Sequence, residues 1–268
     1  MSWIELAAWR ERSIAIARQA GTAILEVYAQ DFTVQTKGDH TPLTAADLAA
    51  HRIIASELAV MTPDIPVLSE EGAGIDWATR RQWARYWLVD PLDGTREFVK
   101  RNGEFTVNIA LIEDGAPVLG IIYAPVLDYL VHAQKGAGCW MRDSASGEDM
   151  RLATQRPARA PLRVAASRSH LDARTANALD AMGEHERLAL GSSLKFCRIA
   201  EGRADVYPRF GPTSEWDTAA GQCILESAGG AVLDLSGAPF RYNQRETLLN
   251  PDFIALGDPQ LPWKDWVQ

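Results

Sequence analysis

The stretch Trp87-Leu88-Val89-Asp90-Pro91-Leu92-Asp93-Gly94-Thr95-Arg96-Glu97-Phe98 constrains this chain most, because an apolar, β-rich run passes directly into a cluster of oxygen ligands. Tyr86 to Val89 suits an interior strand, and Pro91 forbids regular pairing or helix just after Asp90, so the strand is expected to stop at a carboxylate. Asp93-Gly94 permits a tight turn. Thr95 stands where a helix can begin, with unpaired backbone N–H groups facing whatever occupies the turn. Carboxylates alone repel phosphate, but carboxylates holding Mg²⁺ attract it, and a helix N-terminus favours the same anion. The stretch therefore points to metal-assisted phosphoryl chemistry.

The 268 residues are enough for one large domain or two modest ones, and 47% hydrophobic with 23% charged residues is ordinary for a globular protein. A formal net charge of −8 argues against a general nucleic-acid or membrane-surface binder, although an acidic protein still meets phosphates through metal ions. Cys139, Cys197 and Cys223 are few, odd in number and far apart, which fits reduced thiols, and the five histidines show no zinc spacing. Met1-Ser2-Trp3-Ile4-Glu5 has no basic flank before an apolar core, and no uncharged run reaches membrane-span length, so a soluble cytoplasmic protein is expected.

Along the chain, Glu5 to Tyr28 reads as a helix, Phe32 to Thr36 as a short strand, and Lys37-Gly38-Asp39-His40-Thr41-Pro42 as a polar loop. A second helix starts near Thr44, with Asp47 close to a capping-box position. Pro66-Val67-Leu68-Ser69-Glu70-Glu71-Gly72 repeats the pattern of a short apolar strand ending in acids. Phe105 to Glu113, Val118 to Tyr123 and Tyr129 to His132 read as a β-meander, with Asp114-Gly115 as a turn. The polar stretch from Asp143 to Asp149 suggests a boundary between an α+β first half (1–146) and an α/β second half (147–268). Arg156 to Arg163 is a basic, proline-containing connection without the interleaved aromatics of a nucleic-acid patch. Beyond it, Leu162 to Ala165, Leu171 to Met182, Arg187 to Leu190 and Ser193 to Ala200 alternate strand and helix. Gly211-Pro212-Thr213-Ser214-Glu215-Trp216-Asp217 then leads into a helix closed by Gly229-Gly230, which puts Asp217 in its first turn.

Taken singly, each acid has a plain structural reading. Asp39 suits a solvated turn, Asp47 and Asp217 complement helix N-termini, Glu70-Glu71 suits an exposed loop, and Asp93-Gly94 is a frequent turn dipeptide. Taken together, apolar-to-acid transitions at Glu70, Asp90 and Asp217, with a threonine at a helix start, match what a two-metal phosphatase requires. Sequence spacing leaves both readings open.

The set Asp47, Glu70-Glu71, Asp90-Pro91-Leu92-Asp93-Gly94-Thr95 and Trp216-Asp217-Thr218-Ala219-Ala220 resembles the signature of the lithium-sensitive, magnesium-dependent phosphatases of the inositol monophosphatase superfamily. Arg96-Glu97-Phe98, Gly191-Ser192-Ser193-Leu194-Lys195-Phe196-Cys197, Tyr207-Pro208-Arg209-Phe210-Gly211-Pro212 and Leu248-Leu249-Asn250-Pro251 resemble its CysQ-type branch, the bacterial 3'(2'),5'-bisphosphate nucleotidases. The resemblance implies an α/β (α+β) layered αβαβα sandwich. It implies that Glu70, Asp90 and the Leu92 carbonyl hold one Mg²⁺, that Asp90, Asp93 and Asp217 hold a second, and that Lys37 and Asp39 sit on a mobile loop near a weaker third ion. Asp47, Glu70 and Thr95 are the implied catalytic residues, Asp47 and Thr95 orienting and deprotonating the attacking water. Glu70, Leu92, Asp93, Gly94, Thr95, Ser192, Lys195 and Asp217 are the implied substrate contacts, with Ser192 and Lys195 at the nucleotide end.

The implied reaction is in-line hydrolysis of the 3'-phosphate of adenosine 3',5'-bisphosphate to AMP, with 3'-phosphoadenylyl sulfate as a second substrate, in sulfate assimilation. Inhibition by Li⁺ is also implied. The expected partner is a small-molecule nucleotide, with no stable nucleic-acid complex, no transmembrane segment, and room for peripheral association with the inner membrane face. Rivals are an inositol-phosphate or fructose-1,6-bisphosphate phosphatase and, outside the enzymes, a nucleotide-binding regulator.

Overall fold

The computed structural model describes residues 3–30, 35–36, 42–43, 45–167 and 173–267. Lys37, Asp39 and Thr44 lie outside the described residues. Helix α1 (Trp3–Tyr28) and helix α2 (Ala45–Met61) flank a short antiparallel pair, β1 (Gln35–Thr36) and β2 (Pro42–Leu43). A seven-stranded sheet follows in chain order: β3 (Val67–Ser69), β4 (Arg85–Asp93), β5 (Thr106–Glu113), β6 (Ala116–Ala124), β7 (Tyr129–Gln134), β8 (Gly138–Arg142) and β9 (Asp149–Leu152). Only β3 and β4 pair in parallel; each later strand turns back on the one before it. Two short helices, α3 (Trp77–Arg80) and α4 (Thr95–Val99), precede and follow β4.

Side-chain alternation divides the sheet's two faces. Trp87 and Val89 of β4, with Val107, Ile109 and Leu111 of β5, pack under Ile24, Ile54 and Leu58 of α1 and α2. Tyr86, Leu88, Ala110 and Ile112 face the other way. Both sides are apolar, which is why β4 reads as a continuous hydrophobic run, and each buried aliphatic side chain contributes roughly 1.5–3 kcal/mol.

The second half supplies β10 (Leu162–Ser167), α5 (Ala173–Ala181), β11 (His185–Leu190), α6 (Leu194–Ala200), β12 (Val206–Arg209), α7 (Glu215–Ser227), β13 (Ala231–Asp234) and β14 (Phe253–Leu256). Their five strands are ordered β11-β10-β12-β14-β13. Phe196 and Cys197 of α6 and Ala219, Ala220 and Cys223 of α7 share one core with both sheets, so these two helices form the middle layer. Gly120 of β6 allows the close approach, since a Cβ there would lie 2.6 Å from the Ala220 carbonyl. Val206, Ile254 and Leu256 turn outward onto Trp263 and Trp266. The result is the expected five-layer αβαβα sandwich. Among the described residues, no helix is long and apolar enough to cross a membrane.

One sequence expectation changes. Strand β4 does not stop at Asp90 but continues to Asp93 through a register shift, and Pro91 is tolerated there because a bulge does not need its missing N–H. The polar stretch at 143–149 is the turn of the β8–β9 hairpin, with Asp143 Oδ1 accepting from the N–H groups of Ala145 and Ser146 at 3.0 and 2.7 Å.

Candidate active site

In a regular strand, side chains three residues apart face opposite sides. Asp90 pairs with Asn108 and Asp93 with Thr106, so Pro91 and Leu92 together oppose Val107 alone. The extra residue returns Asp93 to the face of Asp90, the face that looks towards α6 and α7. The Leu92 side chain packs into the α1/α2 layer, so only its backbone is available to the carboxylates, and its N–H donates to Asp90 Oδ1 at 3.0 Å.

Asp217 arrives from α7. It closes a capping box, its Oδ2 accepting the Ser214 N–H at 2.8 Å while the Ser214 side chain accepts an N–H from the first turn. Asp90, Asp93 and Asp217 each present a carboxylate oxygen within 4.8 Å of the others. Asp47, buried in the first turn of α2, makes a second such group with Glu70 and Glu71 in the short 3₁₀ turn after β3. Glu71 was not among the expected ligands. Gly94, in the left-handed region (φ 92°), caps α4, and half-buried Thr95 is that helix's first residue.

The two carboxylate groups act on one another. Burial pushes the Asp90 carboxyl well above the usual range, and the charges of Glu70, Asp93, Asp217 and Asp47 push it further. Burial and Asp93 likewise raise Asp217 to about 8, against the opposing Ser214 N–H. Buried like charges at this density are stable only with protons or cations between them. Their donors are all hard oxygens, the set that suits Mg²⁺ or Ca²⁺ and not a soft metal.

Around Asp93 lies a network that the sequence did not reveal. Ser192 Oγ and Ser193 Oγ both donate towards Asp93 Oδ2, at 2.7 and 2.8 Å. Asn108 Nδ2 donates to Ser193 Oγ at 2.9 Å, and Thr106 Oγ1 donates to Asn108 Oδ1 at 2.9 Å. Ser192 holds a left-handed backbone (φ 52°), uncommon for a residue with a side chain. Thr106 and Asn108 are the β5 residues paired with Asp93 and Asp90, so the strand that sets their register also braces the serines.

Lys195 is not a surface lysine. It is buried, its ammonium donates to the Ser192 carbonyl at 2.5 Å and sits 5.0 Å from the Tyr207 ring centroid. Burial lowers its pKa to about 8, opposed by the charge of Asp93. Arg209, whose charge acts on both Lys195 and Asp217, donates through Nη2 to the Pro212 carbonyl at 3.0 Å, while its buried Nε has no acceptor. Among the described residues neither cation forms an ion pair. Buried cations of this kind call for an anion.

The first turn of α7 is pinned from outside. Asn250 Nδ2 donates to the Ser214 carbonyl at 2.6 Å and to Thr218 Oγ1 at 3.0 Å, which explains an asparagine in the 248–251 segment. The Asn243 N–H donates to both oxygens of buried Glu215 at 3.0 and 2.9 Å. Burial, partly offset by that N–H, raises Glu215 to about 7. Asn243 Oδ1 in turn accepts from buried Arg80 at 2.7 Å.

The sequence pattern of the inositol monophosphatase family matches residues 5–258. The Salmonella typhimurium protein named 3'(2'),5'-bisphosphate nucleotidase CysQ is 52% identical over 245 residues, covering 91% of this chain and 97% of that protein. The Haemophilus influenzae protein of the same name is 37% identical over 256 residues, covering 95% of each. Among solved structures, CysQ from Bacteroides thetaiotaomicron is similar with a TM-score of 0.82 at 42% identity, covering 93% of this chain and 97% of that one.

Proposed function

The chain belongs to the inositol monophosphatase family, and on that premise we propose that it is a Mg²⁺-dependent 3'(2'),5'-bisphosphate nucleotidase, releasing the 3'-phosphate of adenosine 3',5'-bisphosphate and leaving AMP. The single observation that carries the reading is the convergence of Asp90, Asp93 and Asp217 from β4 and α7, against two cations without anions. A cluster of acids alone repels a nucleotide; acids holding metal beside Lys195 and Arg209 suit a substrate with two phosphates.

Glu70, Asp90, the Leu92 carbonyl, Asp93 and Asp217 would hold Mg²⁺, which when bound neutralises the carboxylates towards phosphate and makes water a better acid. The protein's own groups do the rest. Asp47 accepts the proton of the attacking water, and the Thr95 hydroxyl orients that water. The Gly94 and Thr95 N–H groups donate to the scissile phosphate. Ser192 and Ser193 hold Asp93 in position, and Lys195 and Arg209 meet the phosphate that stays behind. The sulfate-bearing analogue, 3'-phosphoadenylyl sulfate, carries the same 3'-phosphate and is a second substrate of the same site. A cytoplasmic place of action belongs to the same reading.

The test is phosphate release from adenosine 3',5'-bisphosphate, inositol 1-phosphate and fructose 1,6-bisphosphate, side by side, with Mg²⁺ and with EDTA. The first substrate is expected to give the highest kcat/KM, with inhibition by millimolar-range Li⁺. A higher efficiency on either sugar phosphate would reassign the enzyme, and no release from any of the three would favour a nucleotide-binding regulator.

A further inference from the structure

A pocket of about 350 Å³ opens where the segment from α3 to β4, the β5–β6 turn and the segment before β14 meet. Arg81, Trp83, Tyr86, Asp114, Asn243 and Gln244 contribute to its wall, and none of the active-site carboxylates does. Its volume lies at the small-molecule end of ligand sites.

Two features of the wall go unused by the fold. Arg81 and Asp114 place opposite charges at the same pocket, and among the described residues neither side chain forms an ion pair. Gln244 donates through Nε2 to the Tyr242 carbonyl at 3.0 Å, which leaves its amide oxygen as an acceptor. One cation, one anion and an amide acceptor in so small a space complement a small zwitterion. A nucleotide is disfavoured by the Asp114 carboxylate.

The pocket also touches the clasp on α7. Asn243, part of its wall, donates its N–H to both oxygens of Glu215, the first residue of α7 and two before Asp217. Its side chain accepts from Arg80 Nη1 at 2.7 Å and donates to the Arg80 carbonyl at 2.5 Å. A molecule against Asn243 therefore stands one residue from the helix that carries a proposed metal ligand.

We propose that this pocket binds a free neutral α-amino acid, its carboxylate on Arg81 and its ammonium on Asp114, and that occupancy steadies the Asn243–Glu215 clasp at the start of α7. The site is independent of the phosphatase reading.

The test titrates the purified full chain by calorimetry with each neutral α-amino acid in turn, and with ethanolamine and glycerate as probes that carry one charge each. At least one amino acid is expected to bind saturably at one site per chain, and the single-charge probes at least tenfold more weakly. Arg81→Gln and Asp114→Asn, both at exposed positions, are each expected to weaken binding at least tenfold. With the bound amino acid present, hydrogen exchange at Asn243 and at Glu215 to Thr218 should slow at least threefold. Saturation by none of the amino acids, or binding retained in both variants, overturns the site; protection that spares α7 overturns the coupling.

Discussion

Ser193→Ala would leave every proposed metal ligand in place and remove only what holds one of them. Ser193 Oγ lies 2.8 Å from Asp93 Oδ2 and 2.9 Å from the Asp217 carbonyl. A hydroxyl has one hydrogen, so it serves one acceptor at a time, and the charged carboxylate is the stronger. Such a bond contributes about 1.5–3 kcal/mol, or roughly 10–100-fold in metal affinity if all of it keeps Asp93 in its ligating position. Ser192 still donates to the same oxygen at 2.7 Å, so the lower end is expected, about tenfold. The variant also strips Asn108 Nδ2 of its acceptor, which costs about 1–3 kcal/mol of stability. The assay is the Mg²⁺ dependence of phosphate release, joined to direct Mg²⁺ titration by calorimetry. Half-saturation should move up about tenfold, with kcat at saturating Mg²⁺ within about threefold of wild type. Adding Ser192→Ala should carry the shift towards about 100-fold. An unchanged Mg²⁺ dependence in the double variant, or a loss of kcat that Mg²⁺ does not restore, would refute the bracing role.

Asp90→Asn and Asp217→Asn are expected to abolish phosphate release while the metal-free melting temperature holds or rises, because each removes a charge from a repelling cluster; wild-type turnover in either would sink the ligand assignment. At the edge of the first sheet, burial raises the Asp149 carboxyl, but hydrogen bonds from Arg142 and His132 outweigh it and hold the group at about 2. Its folded pKa is depressed, so its stabilisation is present above the ordinary aspartate value and lost as pH falls towards about 2. Asp149→Asn should cost about 1 kcal/mol at pH 7, half the displacement's nominal worth after screening at a partly exposed group, and only about 0.2 kcal/mol at pH 2, where the group is still half ionised; equal urea midpoint shifts at both pH values would contradict this. Tyr86→Phe, which deletes a buried hydroxyl without a partner, should leave stability unchanged or raise it by about 1 kcal/mol in urea unfolding, and a loss beyond about 2 kcal/mol would show a hidden bond.

What could be read from the chain depended on range. Strand β4, the meander of β5 to β7 and helix α7 carry their own signals of apolar runs, turn dipeptides and a capping box, and Asp90, Asp93 and Asp217 stand at the ends of those signals. Strand β9 has no such pattern, since Asp149, Met150 and Arg151 are all exposed, and it exists because β8 offers an edge. Helix α4, at five residues, is too short for a periodicity. Ser193 gave no signal because its partners Asp93 and Asn108 lie far away in sequence. The burial of Lys195 was not legible locally, because nothing near it in sequence shows that Tyr207 will roof it.

The bulge in β4 makes residue counting part of the chemistry. Removing Leu92 would restore an ordinary two-residue rhythm and leave Asp90 and Asp93 two positions apart, still on one face of the sheet. What it would delete is backbone: the Leu92 N–H that donates to Asp90 Oδ1 at 3.0 Å, and the Leu92 carbonyl proposed to hold metal. Keeping the length but flattening the bulge into regular pairing would instead turn Asp93 towards α1 and α2, so the register of this segment against β5 matters as much as its composition.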